Sequence, residues 1–287
     1  MIPKYFRSGH GPVPPLPSFF IIGPPRTGTS WLHGVLSQRA WLSHPTKETR
    51  FFDKHFDRGI PWYRSHYRRA VQGRPVGEVA PTYFASAEAR ERIAKLIPSA
   101  KIVCTFRNPA DRVLSLYRLK RAYGLIPWSF DDALVQDPEL LESSRYAKHL
   151  KEWRRTFGES HVMATVHDDI EADPQSYLDN LLDFLGIPRL KLTPALAQRV
   201  LTSEEMTQPR YYQWTRGAIV MADWAKRRQL DSLVATAKRI GGMRLFVGGG
   251  PPFPELSFTQ RTKLQQLFRP EVDALESLLN RDFSSWK

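Results

Sequence analysis

The clearest chemical signal in the sequence is a glycine-containing loop near the N-terminus. The segment FFIIGPPRTGTSW, residues 19–31, has the pattern of a short apolar strand, a tight loop and the first turn of a helix. Gly23 and Gly28 have the spacing of a phosphate-binding loop, and Ser30 places a hydroxyl at its last position. Glycines let backbone amides face an anion, and the helix N-terminus adds positive potential. We therefore expect a nucleotide-type cofactor here, with an ordinary strand-to-helix turn as the alternative.

This loop differs from that of nucleoside triphosphatases at one decisive position. Thr29 occupies the place of the usual lysine, and the nearest cation is Arg26, inside the loop. A nucleoside triphosphatase needs that lysine and a magnesium-binding partner, and neither is evident. The sequence therefore predicts phosphate binding without metal-assisted phosphoryl transfer, and no metal site.

Apolar segments that alternate with helical patterns surround the loop. Strands are predicted at 19–22, 75–79, 101–106 and 161–166, and helices at 30–37, 85–96, from 109 onward, 144–157, 174–185 and 259–279. This alternation indicates an α/β fold of the P-loop-containing nucleotide-binding type, with a parallel sheet flanked by helices. We predict a Pro-rich tail at 1–17 and one domain over 18–287, in which 43–74 is an irregular functional loop and 203–250 a substrate-side or lid insertion.

Composition limits the partners without choosing among them. The chain has 287 residues and a formal net charge of +13, which favours nucleotides, nucleic acid, acidic glycans or an anionic membrane surface. Its single cysteine, Cys104, lies in an apolar run and forms no intramolecular disulfide, which favours a reducing compartment. With no signal peptide and no apolar run long enough to span a membrane, a cytoplasmic location is expected.

Several motifs resemble those of the sulfotransferases that use 3′-phosphoadenosine 5′-phosphosulfate (PAPS) as donor. The RTGTSW segment at 26–31 is similar to their 5′-phosphosulfate loop, and FRNPADRVLSLY at 106–117 to their second motif. KETRFFD at 47–53, EVAPTYF at 78–84 and YAKHL at 146–150 resemble the carbohydrate branch, which includes heparan sulfate-type enzymes, more than the branch acting on phenols and steroids.

The resemblance implies how the donor is held. Arg107 and Ser115 match the residues that bind the 3′-phosphate, where a forked guanidinium and a hydroxyl suit a phosphate monoester. Arg26 would stabilise charge on the leaving phosphate, and Trp31 would stack on adenine. The full set of implied cofactor-binding residues is Pro25, Arg26, Thr27, Gly28, Thr29, Ser30, Trp31, Arg107 and Ser115.

The resemblance also implies an acceptor side. Glu48 matches the glutamate that removes the acceptor's proton, and His149 is a second candidate proton acceptor. From the residues alone, Glu48 would instead be a solvated carboxylate paired with neighbouring cations. The implied substrate-binding residues are Lys47, Arg50, Asp53, Tyr83, Tyr146 and Trp153.

Two departures from the family pattern bear on specificity. Val79 stands where some heparan-type enzymes have a lysine, which weakens the case for a polyanionic acceptor. The family's C-terminal loop over the 3′-phosphate has no clean copy; its candidates are 239–242, Arg244 and 248–250.

The function expected from these motifs is sulfuryl transfer from PAPS to a hydroxyl or amine, leaving 3′-phosphoadenosine 5′-phosphate (PAP). The acceptor would be a carbohydrate, a glycolipid or a small metabolite, and the charge also permits peripheral contact with an anionic membrane. A P-loop kinase or nucleoside triphosphatase and a basic nucleic-acid-binding protein are the alternatives. No zinc spacing or RNA-binding aromatic motif favours the latter.

Overall fold

A five-stranded parallel sheet forms the centre of the computed structural model, which describes residues 13–70, 73–197, 207–227 and 249–287. The strands lie in the order β2-β3-β1-β4-β5, and every neighbouring pair is parallel. Their bounds are β1 Phe19–Ile21, β2 Trp41–Leu42, β3 Val76–Val79, β4 Lys101–Phe106 and β5 Val162–Val166. Because the strands are parallel, their carboxyl ends meet at one edge of the sheet, where ligands bind in this class of fold.

Helices connect successive strands. They are α1 Thr29–Leu36, α2 Gly59–Ser65, α3 Ala87–Leu96, α4 Pro109–Ala122, α5 Phe130–Gln136, α6 Glu139–Glu142, α7 Tyr146–Phe157, α8 His167–Ala172, α9 Pro174–Leu185, α10 Pro194–Ala197, α11 Tyr212–Arg227 and α12 Phe258–Leu279. Short 3₁₀ turns lie at Phe56–Arg58, Pro81–Tyr83, Glu159–His161 and Ser284–Trp286.

Local sequence explains where several of these helices begin. Asn108 accepts from the amides of residues 110 and 111 ahead of Pro109, and Asp173 accepts from the amide of residue 176 ahead of Pro174. A capping side chain followed by proline satisfies orphan amides and presets the backbone for a helix. The long C-terminal helix begins with a capping box formed by Ser257 and Gln260.

Apolar side chains cover both faces of the sheet. One core cluster packs α3, α4, α7 and α12 against the sheet and includes Phe20, Ile102 and Cys104. The other packs α1 and α9 against the opposite face through Leu32 and Leu181. Helices on both faces bury most residues of the five strands, which confirms the predicted α/β class.

The structure differs from the sequence-based expectation in the segment 43–74. This segment is not wholly irregular, because it contains the 3₁₀ turn Phe56–Arg58 and helix α2, and the two-residue strand β2 precedes it.

Most of the predicted 1–17 tail lies outside the described residues. So do 198–206 and 228–248, which include about half of the proposed 203–250 insertion and the loop candidates 239–242, Arg244 and Gly248. Its described parts are α11 and an antiparallel pair, β6 Thr207–Pro209 and β7 Gly249–Pro252. The division into tail, domain and insertion stays a prediction.

Candidate active site

The glycine loop joins β1 to α1 and lies directly against β4. A Cβ on Gly23 would fall 1.9 Å from the Thr105 hydroxyl oxygen, so glycine is needed for this close approach. The Thr27 hydroxyl donates to the Pro24 carbonyl at 2.8 Å, which leaves Thr105 to donate to it at 2.7 Å. Since that hydroxyl holds the loop together, the group of Thr27 that can serve a ligand is its backbone amide.

The loop contains two left-handed residues just before α1. Arg26 has φ +80° and Gly28 has φ +91°. For an arginine this conformation costs on the order of 1 kcal/mol, and strain of this kind concentrates at ligand sites. No side chain caps the N-terminus of α1. Its first-turn amides and the positive end of its dipole are therefore available to an anion.

Two arginines and a histidine meet at this loop. Arg26 donates through Nε to the Ser115 hydroxyl at 2.8 Å, and burial and then the charge of Arg107 lower its pKa. His167 begins α8 and packs on the loop, since a Cβ on Gly28 would lie 3.2 Å from its ring. Burial, followed by the charges of Arg107 and Arg26, lowers the pKa of His167 to about 4. The ring is therefore neutral at pH 7.

This cluster carries positive charge that the described residues do not neutralise. Within those ranges the Arg107 guanidinium has no carboxylate partner, and Arg26 bonds to a neutral hydroxyl. Two guanidinium groups beside an uncapped helix N-terminus form a site that suits a ligand with more than one phosphate. The residues present therefore fit the bisphosphate nucleotide that the sequence predicted.

Arg112 supports the loop from behind. Its guanidinium is fully buried on α4 and donates to the Ser144 hydroxyl and the Leu140 carbonyl, both at 2.6 Å, and to the Pro25 carbonyl at 3.4 Å. Burial lowers its pKa. Because its guanidinium donates to groups of the protein itself, Arg112 fixes Pro25 and makes the loop more rigid rather than binding the ligand.

On the acceptor side, Lys47 connects the donor loop to Glu48. Its Nζ donates to the Ser30 hydroxyl at 2.9 Å and lies 3.9 Å from Oε1 of Glu48. Both side chains are partly open, at 34% and 30% exposure. Burial raises the pKa of Glu48, and the positive charge of Lys47 opposes this rise. Glu48 is thus a carboxylate with increased basicity beside the helix that begins at the glycine loop.

Arg50 and Asp53 form a forked ion pair in the same segment. The guanidinium donates through Nε at 3.0 Å and through its terminal nitrogen at 2.6 Å to one carboxylate oxygen. Arg50 has φ +52°, so the chain bends sharply just after Glu48. The pair orients this bend, and the charges of both residues act on the pKa of Glu48.

Three aromatic residues that were predicted to contact the acceptor are buried. Tyr83, Tyr146 and Trp153 are 0%, 1% and 0% exposed. Tyr146 donates to the Arg107 carbonyl at 2.9 Å, and Trp153 donates to the Phe84 carbonyl at 2.9 Å. The polar atoms of all three are bonded inside the protein, and direct contact with the acceptor stays a prediction. Tyr146 fixes the backbone of a predicted phosphate-binding residue.

His149 has the surroundings of a structural histidine. Its Nε2 lies 3.2 Å from the Glu142 carboxylate, and its ring packs edge-on against Phe84. Burial lowers its pKa, although Glu142 opposes the shift. Neither Arg26 nor Glu48 is among its contacts, so the structure does not bring the second predicted proton acceptor to the site.

Trp31 lies on the buried side of α1. Its indole nitrogen donates to the Leu196 carbonyl at 2.9 Å, and its ring is 6.0 Å from that of Tyr177. These contacts hold the indole in one orientation at the start of the helix. Stacking on adenine stays a prediction.

His167 and the C-terminal support of this site were not predicted from the sequence. Trp286 donates to the Asp168 carboxylate at 3.1 Å and packs 6.4 Å from the Tyr146 ring. It therefore connects α8, which begins with His167, to Tyr146 of α7, whose hydroxyl donates to the Arg107 carbonyl. A signal for His167 was present, because it directly follows an apolar strand and so lies at the carboxyl end of the sheet.

Two kinds of feature are absent from the described ranges. No helix there is both long and apolar enough to cross a bilayer. No group of three or more His, Cys, Asp or Glu side chains there could hold a metal ion.

Comparisons with known proteins agree with this geometry. Human heparan sulfate glucosamine 3-O-sulfotransferase 6 is 27% identical over 278 residues, which cover 93% of this chain and 73% of that protein. The mouse counterpart is 31% identical over 182 residues, 61% of this chain and 53% of that protein. Bovine bifunctional heparan sulfate N-deacetylase/N-sulfotransferase 2 is 30% identical over 205 residues, 63% of this chain but only 23% of that protein. The chain thus spans about half or less of several of these relatives.

A solved sulfotransferase from Alicyclobacillus acidocaldarius shares the fold. It superposes with a TM-score of 0.66 at 22% identity, covering 95% of this chain and 99% of that one. The sulfotransferase domain family model matches residues 16–218. Because this match covers more than half of the chain, the protein belongs to the sulfotransferase domain family, as the sequence predicted.

Proposed function

We propose that this enzyme transfers the sulfuryl group of PAPS to a hydroxyl of a carbohydrate-containing acceptor, with Glu48 as general base. The single observation that carries this proposal is the position of Glu48. Through Lys47 and Ser30, its carboxylate is connected to the first turn of the helix that follows the phosphate loop. A single side chain, that of Lys47, therefore contacts both the proposed base and the helix start at the donor loop.

Each end of the donor has its own residues. The uncapped amides of α1 and the glycine loop receive the 5′-phosphosulfate, and Arg107 and Ser115 receive the 3′-phosphate. Arg26 lies between these groups, because its Nε already bonds to Ser115. From there it stabilises negative charge as it grows on the departing 5′-phosphate.

The reaction moves one sulfur between two oxygens. The acceptor oxygen forms a bond to sulfur while the bond from sulfur to the bridging 5′-phosphate oxygen breaks, and that oxygen keeps the electron pair as PAP leaves. Glu48 takes the proton of the acceptor hydroxyl. Burial raises its pKa, which increases its strength as a base, and the positive charge of Lys47 opposes this rise.

A carbohydrate is the acceptor class that the relatives favour. The curated relatives named above carry heparan sulfate in their names. Val79 lies in β3 where some heparan-type enzymes have a lysine, and this difference weakens the case for a polyanionic acceptor such as heparan sulfate. Glycolipids belong to the same proposal, and a small metabolite without a sugar is the alternative acceptor. A cytoplasmic location and contact with an anionic membrane stay predictions.

A transfer assay with labelled donor tests the proposal. Purified enzyme and [³⁵S]PAPS are incubated with neutral and acidic oligosaccharides, glycolipids and phenols, with and without a metal chelator. We expect label on a sugar-containing acceptor, inhibition by PAP, and no loss of activity with the chelator. Transfer to phenols alone would refute the carbohydrate assignment. Magnesium-dependent ATP turnover would favour the kinase alternative, and salt-sensitive DNA or RNA binding without PAP binding would favour the nucleic-acid alternative.

A further inference from the structure

A buried carboxylate that the proposed reaction does not use lies directly beneath the catalytic segment. Glu78 is on β3 and is 0% exposed. Its Oε1 accepts from the Thr49 amide at 3.1 Å and from the Thr49 hydroxyl at 2.5 Å. Tyr63 donates to Oε2 at 2.7 Å, and Tyr83 donates to Oε1 at 3.3 Å. Four donors thus converge on one carboxylate, and no cation is among them.

This arrangement is poorly explained as core packing. A buried carboxylate without a cation is costly, and well-packed apolar residues generally serve a core at least as well. Burial raises the pKa of Glu78, although the hydrogen bonds from Thr49 and Tyr63 oppose the rise. What the carboxylate provides is several acceptor sites at one fixed point of the sheet, which an apolar side chain cannot offer.

Those acceptor sites hold the backbone next to the proposed base. The amide that Glu78 binds belongs to the peptide bond joining Glu48 to Thr49. The Thr49 hydroxyl also accepts from the Phe51 amide at 3.1 Å. The Tyr83 hydroxyl accepts from the amide of residue 52 at 3.3 Å. The network therefore fixes both sides of the left-handed bend that follows the base.

We propose that Glu78 is a positioning residue, which holds the Glu48–Thr49 peptide on the rigid sheet and so aims the Glu48 carboxylate at the acceptor. This inference rests on the proposed role of Glu48. It adds that Thr49, Tyr63 and Tyr83 contribute to turnover although none of them contacts donor or acceptor. A catalytic group displaced by as little as 1 Å loses up to about a hundredfold in rate.

Thr49→Val tests the proposal with little change in shape. It removes the hydroxyl bond to Glu78 and leaves the donor-binding loop intact. We expect kcat to fall about tenfold or more while the Kd for PAP changes less than about twofold. Thr49→Ser, which keeps the hydroxyl, should restore most of the turnover.

Two buried tyrosines provide a matched pair. Tyr63→Phe removes a donor to Glu78 and should lower kcat. Tyr67→Phe removes an equally buried hydroxyl that bonds to Tyr63, not to Glu78, and should leave kcat nearly unchanged. Equal losses from the two changes would indicate a general packing defect and would refute the proposal.

A double-mutant cycle with Glu48→Gln gives the decisive readout. If the network acts through the base, Thr49→Val should slow the wild-type enzyme about tenfold but the Glu48→Gln enzyme less than about twofold, measured by single-turnover transfer. The same loss in both backgrounds would overturn the positioning role. If Glu48→Gln lowers turnover and Thr49→Val does not, only the positioning role of Glu78 is refuted. If Glu48→Gln keeps full turnover, the general-base role of Glu48 is refuted together with it.

Discussion

His167 makes the stability of this protein sensitive to mild acid. The ring is neutral in the folded state because burial, Arg107 and Arg26 lower its pKa to about 4, compared with about 6.5 for an unfolded histidine. Between these two values the unfolded chain binds more protons than the folded one. The stability contributed by the neutral ring is therefore complete above pH 6.5 and is lost as the pH falls toward 4.

The size of the effect follows from the two pKa values. At pH 5 the unfolded histidine is almost fully protonated and the folded one almost fully neutral, so the free energy of unfolding falls by about 2 kcal/mol relative to pH 7.5. His33 has a pKa lowered to about 4 by burial and by Lys47, and it contributes in the same direction, by less because the ring is more exposed than that of His167. For a domain of ordinary stability, this loss is a large fraction of the total free energy of unfolding.

Urea unfolding at pH 7.5 and pH 5.0, followed by tryptophan fluorescence, measures this difference. We compare wild type with His167→Gln, and with His44→Gln at an exposed position as the matched control. The pH-dependent loss should shrink by about 2 kcal/mol in His167→Gln and stay at the wild-type value in the control. An unchanged loss in His167→Gln would refute the placement of a neutral histidine beside two guanidinium groups.

Three further changes test the donor site and its support. Arg107→Ala should weaken PAP binding far more than adenosine 5′-phosphosulfate binding, by calorimetry; equal losses would contradict a role at the 3′-phosphate. Tyr146→Phe removes a hydrogen bond to the Arg107 carbonyl worth about 1 kcal/mol, so PAP affinity should fall about fivefold with the fold intact. An unchanged Kd would show that this bond does not position Arg107. Arg112→Met leaves the Leu140 carbonyl and Ser144 without their buried donor, and the free energy of unfolding should fall by about 3 kcal/mol; a loss below about 1 kcal/mol would exclude a structural role.

The sequence was most informative where local pattern determines structure. Short apolar runs that are bounded by turn-forming residues predicted four of the five central strands. The helix at Pro174–Leu185 was predicted with its observed bounds. β2 was missed because two residues carry no periodicity. α2 was missed because Gly59 and Pro61 at its start are residues typical of loops.

The site was harder to predict because its residues come together through the fold. The loop and Ser115 were identified from motifs, and the structure brings Arg26 and Ser115 into direct contact. Glu78 lies on β3 and His167 begins α8 directly after β5, and no spacing between them in the sequence indicates that they face Thr49 and the loop. The sequence around an aromatic residue in a functional motif also looks the same in two cases. The side chain can contact the ligand, or it can hold a ligand-binding residue in place, as Tyr146 does for Arg107.

The most direct test of the central claim is the turnover of Glu48→Gln compared with its affinity for PAP. Gln keeps the size of the side chain but cannot accept the acceptor's proton near neutral pH. General-base catalysis typically contributes about a hundredfold to ten-thousandfold, so kcat for transfer from [³⁵S]PAPS should fall within this range. The Kd for PAP should change less than about twofold, because the phosphate loop, Arg107 and Ser115 are untouched. Turnover within about twofold of wild type would contradict the claim that Glu48 is the base.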